Sequence, residues 1–194
     1  MKHYILYICL VITTCCFSAC TNDHTIAKRN IKRAKINSPL EEYVNRVAKR
    51  ILIVSHNPSS HYIFSVTQDN TPLIEIDPQS NSIIISHGLL TNLLDEAELA
   101  AVLSLAIAKL NHNPDPDRST LTNLAHAGYD PQALVDLQER YLLADPIHPT
   151  TWIVGLDSST IDAGTVTYNK EMLKKLPHGL MRGTEQYQKQ IGNL

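Results

Sequence analysis

Apolar side chains recur at helical spacing in the stretch that begins at Pro39. From there to about Ser55 they occupy every third or fourth position: Leu40, Tyr43, Val44, Val47, Ile51 and Val54. This spacing places them on one face of an amphipathic helix. We therefore predict a helix over 39–55 with one buried face and one polar face.

Shorter apolar runs follow and predict strands. Tyr62–Thr67 alternates in polarity, Leu73–Ile76 is a short apolar run, and Ser82–Ser86 contains three consecutive isoleucines. These patterns are typical of half-buried and fully buried strands. Residues 70–72 and 78–81 are rich in Asn, Pro and Ser, which favour turns. We expect two or three short strands in this region.

A long apolar helix is predicted from about Asp95 to Asn111. Its core face is formed by Leu99, Val102, Leu103, Ala106, Ile107 and Leu110. Asp95, followed three residues later by Glu98, is a variant of the capping box that starts many helices. A shorter helix follows, with Asp115 suited to the N-cap and Pro116 to the first helical position. Gly128 is suited to a left-handed cap at its end.

The rest of the chain continues the helical pattern. Asp130-Pro131 repeats the cap-then-proline signature and predicts a helix to about Leu143. Residues 157–194 are more polar, with one helix expected near Asn169–Leu176. A helix, then strands, then several helices predicts an α+β fold with a small sheet packed on several helices.

Composition and charge exclude some classes of protein function. The chain has 194 residues, a formal net charge of −2 and 43% hydrophobic residues, enough for one domain with its own core. A charge near zero excludes a nucleic-acid binder that works through a global basic field. The aromatic content of 6% argues against a platform that stacks bases. We expect no nucleic-acid partner.

The four cysteines all lie in the first twenty residues and indicate the compartment. A short basic start precedes an apolar run of signal-peptide length from Tyr4 to Phe17. The run ends in Phe17-Ser18-Ala19-Cys20, which resembles the bacterial lipobox. That resemblance implies a signal peptide over 1–19 and lipid attachment at Cys20. Thr21 is not Asp, which implies sorting to the periplasmic face of the outer membrane. An ordinary secretory signal with a chance cysteine is the alternative.

Residues 20–38 are predicted to be a basic tether. Five positive charges lie within eight residues: Lys28, Arg29, Lys32, Arg33 and Lys35. Beside a membrane anchor such charges attract anionic head groups by about 1 kcal/mol each. A solvated linker is the simpler interpretation of the same residues. Cleavage before Cys20 leaves one cysteine, so we expect no disulfide within the mature chain.

Three elements in order resemble the HtpX and BepA type of zinc metallopeptidase, which is related to the CAAX prenyl endopeptidase. Ile83–Leu90 resembles the strand and Gly-Leu-Leu stretch of that family, and Asp95–Leu103 resembles the Asp-Glu-x-Glu-Leu-Ala-Ala-Val-Leu run before its zinc motif. Ala127–Pro131 matches the Ala-Gly-Tyr-Asp-Pro turn, and His148–Thr150 resembles a late His-Pro element. The resemblance covers roughly 40–156 and implies a gluzincin-like metallopeptidase domain.

The same resemblance implies that the zinc site has been lost. The family holds zinc with His-Glu-x-x-His on one helix, where the Glu is the general base, and with a later Glu. These four positions fall on Leu105, Ala106, Lys109 and Asp115. Leu and Ala offer no lone pair, and a charged Lys repels a cation. Asp115 can be explained as an N-cap. We therefore expect no catalytic residue, no metal site and no cofactor.

The sequence thus predicts an envelope lipoprotein whose peptidase-like domain, residues 39–156, binds or regulates envelope proteins or an active relative. Residues 157–194 would form a C-terminal extension. An active zinc endopeptidase with unrecognised ligands is the alternative, and zinc would be its cofactor. A structural tether without a binding role is a third interpretation.

Overall fold

The computed structural model describes residues 39–55, 61–144 and 162–192. The predicted α+β class is confirmed, with seven helices and one three-stranded sheet in these residues. Helix α1 spans Pro39–Val54, strand β1 Ile63–Thr67, β2 Ile74–Asp77 and β3 Ser82–Ser86. The helices that follow are α2 His87–Asn92, α3 Glu96–Leu110, α4 Pro116–His126, α5 Gln132–Ala144, α6 Ala163–Leu173 and α7 Thr184–Ile191.

The sheet is mixed, with β3 between the two other strands. Strand β1 pairs with β3 in parallel, with Ile63 opposite Ser82, and β2 pairs with β3 antiparallel, with Ile74 opposite Ile85. Because β3 is central, its isoleucines Ile83 and Ile85 are fully buried. All three predicted strands are therefore present, each within one residue of the expected start and end.

Helix α3 runs through the middle of the fold. Every residue of it except Lys109 is buried. A helix that is apolar on all sides must be covered on all sides. Helices α1, α4, α5 and α7 and strand β2 all pack against it. The order of the elements thus places α3, which carries three of the four aligned zinc positions, inside the core.

Local signals in the sequence start and end these helices as predicted. The Asp95 side chain caps α3 by accepting the Glu98 N–H at 2.9 Å, and Asp115 caps α4 by accepting the Arg118 N–H at 3.1 Å. Gly128 has a φ of +83° just after α4. The Tyr129 N–H then bonds the Leu124 carbonyl, which closes a Schellman motif.

Two helices were not predicted. Ser86 caps α2 by accepting the Leu89 N–H at 3.0 Å, but six residues are too few to show a period. Helix α7 buries one side chain, Tyr187, which leaves almost no apolar pattern. The predicted 169–176 helix is present as Ala163–Leu173, because Asp162 caps it six residues earlier than expected. Val166, Leu173 and Tyr187 join the same core as 39–144, so the region after residue 156 contributes to it.

One close backbone approach fixes the entry to α2. The Gly88 N–H bonds the Asp69 carbonyl at 2.8 Å. A Cβ on Gly88 would lie 2.1 Å from the Asn70 carbonyl oxygen, which no side chain tolerates. Glycine is therefore required where the loop before β2 crosses the start of α2.

Candidate functional site

The three positions on α3 that the resemblance aligns with the zinc motif hold two core side chains and one half-buried lysine. Leu105 is 7% exposed and Ala106 is fully buried, and both belong to the main apolar cluster. Lys109 is half-buried in the last turn of α3, where a cation complements the helix dipole. The chemistry available at these positions is packing and charge complementarity, because neither Leu nor Ala has a lone pair for a metal or a proton.

Asp115 serves the start of α4. One carboxylate oxygen, Oδ1, accepts the Arg118 N–H, and the other, Oδ2, accepts the Tyr168 hydroxyl at 3.0 Å. This hydrogen bond raises the pKa of the Tyr168 phenol. Both oxygens of Asp115 therefore have protein partners, as expected for an N-cap tied to α6.

The neighbouring carboxylate, Asp117, ties α4 to two other helices. Its Oδ2 accepts the side-chain amides of Asn169 at 3.1 Å and Gln138 at 3.3 Å. Asn169 also donates to the Gln138 side-chain oxygen at 2.8 Å. Asn169 and Gln138 are buried, so this polar cluster holds α4, α5 and α6 together.

The histidines in the described residues lie apart. His61, His112, His126 and His178 are exposed, and His87 is half-buried at the start of α2. The part of the chain that the structure describes holds no group of three or more His, Cys, Asp or Glu side chains placed to bind a metal. His24, His56 and His148 lie outside the described residues, as do Cys20, the basic tether and the late His-Pro element.

The first turn of α3 carries a buried cluster of carboxylates, of which the sequence identified Asp95 and Glu98 only as a capping box and did not identify Glu96. Glu96 is 3% exposed and accepts the hydroxyls of Tyr43 at 2.8 Å and Tyr129 at 2.7 Å. The Arg50 guanidinium lies 3.4 Å from its Oε1 and stacks 4.5 Å from the centre of the Tyr129 ring. Burial, and then the hydrogen bond to Glu96, raises the pKa of both phenols well above its usual value.

Glu98 and Asp95 form the second half of this cluster. Glu98 is fully buried and binds Arg140 through two hydrogen bonds of 2.8 and 2.7 Å. It also accepts the Leu94 N–H at 2.8 Å, so the capping box closes on Leu94 and not on Asp95. Asp95 pairs with Arg182 at 2.7 Å. Burial nevertheless raises the pKa of Asp95, although the Glu98 N–H and Arg182 oppose the rise.

This cluster is structural in its chemistry. Each carboxylate oxygen of Asp95, Glu96 and Glu98 accepts at least one hydrogen bond from a phenol, a guanidinium or a backbone N–H. A general base needs a lone pair within reach of a substrate proton. Here each of these oxygens already accepts a hydrogen bond, and the cations bring α1, α5 and the segment before α7 onto the first turn of α3.

Sequence reasoning missed the three arginines because each is far along the chain from its partner. Arg140 lies 42 positions from Glu98, and Arg182 lies 87 positions from Asp95. One signal was present in the sequence. Three carboxylates, Asp95, Glu96 and Glu98, begin a helix that is otherwise almost entirely apolar. A helix of that composition is buried, and buried carboxylates require cationic or phenolic partners.

The sheet offers an edge for hydrogen bonding at β2. The Ser86 N–H bonds the Leu73 carbonyl at 3.0 Å. This bond determines which alternate residues of β2 hydrogen-bond to β3 in the antiparallel pair. Glu75 and Asp77 therefore direct their backbone groups toward β3, and Ile74 and Ile76 direct theirs away from it. Within the described residues β2 pairs with β3 alone, and of its two outward-facing residues Ile76 is half-buried and Ile74 is fully buried.

No protein-family model matches the sequence, and no characterised protein matches it at a significant level. No helix in the described residues is both long enough and apolar enough to cross a membrane. The metallopeptidase resemblance therefore rests on residues 83–90, 95–103, 127–131 and 148–150 alone.

Proposed function

We propose that this chain is a lipid-anchored envelope protein whose metallopeptidase-like domain binds extended polypeptide without cutting it. The observation that carries the proposal is the burial of Leu105 and Ala106 in the core of α3. The resemblance places the first zinc ligand and the general base at these two positions. A hydrolase of this type requires three zinc ligands and an open position for water.

The outer edge of β2 supports the binding part of the proposal. The backbone groups of Ile76, which is half-buried, face away from β3 and would pair with an added strand, whereas Ile74 on the same edge is fully buried. Hydrogen bonds along a strand edge recognise the peptide backbone, so the binding would tolerate many side chains. That tolerance suits a chaperone-like or regulatory partner of envelope proteins.

The proposed cellular location of the protein rests on the predicted signal peptide and Cys20. Cys20 would carry the lipid, and Thr21 in the next position favours the outer membrane. The domain would then face the periplasm on a tether of 18 residues, 21–38, between Cys20 and Pro39. The partners proposed are the membrane, through the anchor, and unfolded or extended envelope proteins or an active relative.

Fluorescent casein, an unfolded substrate, tests the proposal. The change is Ile76→Pro, which removes an N–H that faces outward and leaves the ladder with β3 intact. Proline is tolerated at such edge positions. The matched control is Ile76→Val, which also trims the half-buried side chain but keeps the N–H. We expect casein to bind the wild type and Ile76→Val, and to bind Ile76→Pro weakly, as measured by fluorescence anisotropy.

The casein itself should remain whole in these reactions. Chelator-sensitive cleavage by the wild type would contradict the proposal and favour the zinc endopeptidase. Equal binding by Ile76→Pro and Ile76→Val would show that β2 is not the edge used. Absence of casein binding in all three proteins would favour the structural tether.

A further inference from the structure

A groove of about 440 Å³ lies where α3 ends and α4 begins. Three asparagines, Asn111, Asn113 and Asn123, line it together with two serines, one histidine and three apolar residues. Pockets that bind small molecules typically enclose about 300–1,000 Å³, so this volume is sufficient for a small ligand. We call it the α3–α4 groove.

The α3–α4 groove opens on a different side of α3 from the aligned zinc positions. Ile107, which lines the groove, is two positions from both Leu105 and Lys109. Side chains two positions apart on a helix point about 160° away from each other. The groove is therefore not the site that the metallopeptidase resemblance implies.

Two of the asparagines offer N–H donors to a ligand in the groove. The Asn113 side-chain oxygen accepts the Asp115 N–H at 2.9 Å, and the Asn111 side-chain oxygen accepts the Tyr62 hydroxyl at 2.8 Å. These bonds hold both amides by their oxygens. Each NH₂ group carries two N–H donors, and within the described residues neither group donates a hydrogen bond to the protein.

The third asparagine, Asn123, offers an acceptor. It is 4% exposed, and its NH₂ group donates to the Ser104 hydroxyl at 3.3 Å. Its side-chain oxygen accepts no hydrogen bond from the described residues, among which only the Thr120 hydroxyl and the Asn169 side-chain oxygen are both sealed from solvent and unpartnered. The Asn123 oxygen is therefore open to solvent, and because Asn123 lines the groove, a ligand there can reach it.

We propose that the α3–α4 groove binds an N-acetyl amino sugar. The acetamido carbonyl would accept N–H bonds from Asn111 and Asn113, the acetamido N–H would donate to Asn123, and the methyl group would contact the apolar side chains. Ring hydroxyls would pair with Ser119 and His112, since a hydroxyl and a neutral imidazole both donate and accept. The groove is lined by no Asp, Glu, Lys or Arg, which favours an uncharged ligand because a charged one would lose hydration without a counter-charge.

An NMR titration with N-acetylglucosamine tests the proposal on residues 20–194 with Cys20→Ser, in which the compact unit Asn37–Leu194 is whole. Glucose lacks the acetamido group, and N-acetylalanine amide carries it without a sugar ring. The test variant is Asn113→Asp, which keeps the oxygen that accepts the Asp115 N–H and replaces the donor NH₂ with an acceptor. The matched control is Asn70→Asp, the same change at an exposed asparagine between β1 and β2, outside the groove.

We expect N-acetylglucosamine to shift the side-chain amide resonances of Asn111, Asn113 and Asn123 and to leave that of Asn70 in place. Glucose and N-acetylalanine amide should each bind at least about tenfold more weakly, because each leaves part of the polar lining unpaired. Asn113→Asp should raise the Kd for N-acetylglucosamine by at least about tenfold, because an oxygen would then face the acetamido carbonyl. Asn70→Asp should leave this Kd unchanged. The proposal does not depend on peptide binding at β2 or on lipid attachment.

A second variant separates lost binding from lost folding. Asn111→Asp keeps the oxygen that accepts the Tyr62 hydroxyl and removes the other donor, so it should weaken binding in the same way while its urea melt stays near that of the wild type. Absence of N-acetylglucosamine binding, equal binding of glucose, or an unchanged Kd in both groove variants would overturn the proposal. An equal loss in Asn70→Asp would also overturn it, and equal binding of N-acetylalanine amide would assign the groove to peptides instead.

Discussion

Removing Arg140 should expose how strongly the fold depends on the carboxylates that begin α3. Glu98 has no exposed side-chain surface, and Arg140 is 34% exposed on α5. Both terminal nitrogens of Arg140 bond Glu98 at 2.8 and 2.7 Å. The change Arg140→Leu keeps the aliphatic packing and leaves the buried carboxylate without its main partner.

The expected cost follows from the burial of Glu98. Breaking a buried ion pair on one side typically costs about 3–5 kcal/mol, because the remaining charge is poorly solvated. Two features place the value near about 3 kcal/mol. Water can approach through the exposed third of Arg140, and the Arg182 guanidinium remains 4.0 Å from Glu98. For a domain of this size that corresponds to a loss of about 6–12 °C in Tm.

Urea unfolding followed by circular dichroism measures this cost. The matched control is Lys170→Leu, which removes the α6 partner of Glu139, a residue on the same helix α5 as Arg140. That pair is half-exposed, so its loss should cost less than about 1 kcal/mol. The double change Glu98→Leu with Arg140→Leu should be less destabilising than Arg140→Leu alone, because no charge is left buried. A cost for Arg140→Leu equal to that of Lys170→Leu would refute the reasoning.

Four further outcomes are expected. Gly88→Ala should destabilise the protein by more than about 3 kcal/mol in a urea melt, because its Cβ meets the Asn70 carbonyl. Gly164→Ala, whose Cβ meets only the Asp162 side chain at 3.2 Å, should cost much less in the same melt. Leu105→Ala should cost about 2–5 kcal/mol in the same melt, and a loss under about 0.5 kcal/mol would mean that this side chain is not in the core. Burial raises the pKa of three phenols above 10.0, those of Tyr43, Tyr129 and Tyr187. Their contribution to stability is therefore complete below pH 10 and is lost as the pH rises further, by about 4 kcal/mol per pH unit for three protons. Phenolate absorbance and unfolding should appear together in an alkaline titration. Labelled palmitate should enter the wild type and not Cys20→Ser, and equal labelling of both would contradict lipid attachment.

The elements that the sequence predicts correctly are those with a local physical cause. Asp95 and Asp115 cap helices because their short side chains reach an N–H three residues ahead, a contact within one turn. The three consecutive isoleucines of β3 favour a strand through their own β-branched side chains, and Ile83 and Ile85 are buried in it. Gly128 adopts a positive φ where the helix must end. Each of these depends on neighbours in the chain.

The features that the sequence did not predict depend on distant partners. Tyr187 is 97 positions from the Leu90 carbonyl that it bonds, and no spacing rule connects them. The pairing of Glu98 with Arg140 is equally remote. At the aligned zinc positions the sequence was sufficient, because the burial of Leu105 and Ala106 follows from the apolar pattern of α3. The Asp115 cap on the Arg118 N–H is local, but the bond from the Tyr168 hydroxyl to the other oxygen of Asp115 depends on the packing of α6 against α4.

The most direct test of the central claim is zinc-dependent cleavage of casein by the purified mature chain, with zinc per chain determined on the same sample. A catalytic zinc needs three protein ligands and a general base, and Leu105, Ala106 and Lys109 supply none of them. We predict no stoichiometric zinc, casein that stays intact with added zinc, and no change on adding a chelator. One tightly held zinc per chain with cleavage that a chelator abolishes would contradict the account and establish an active endopeptidase.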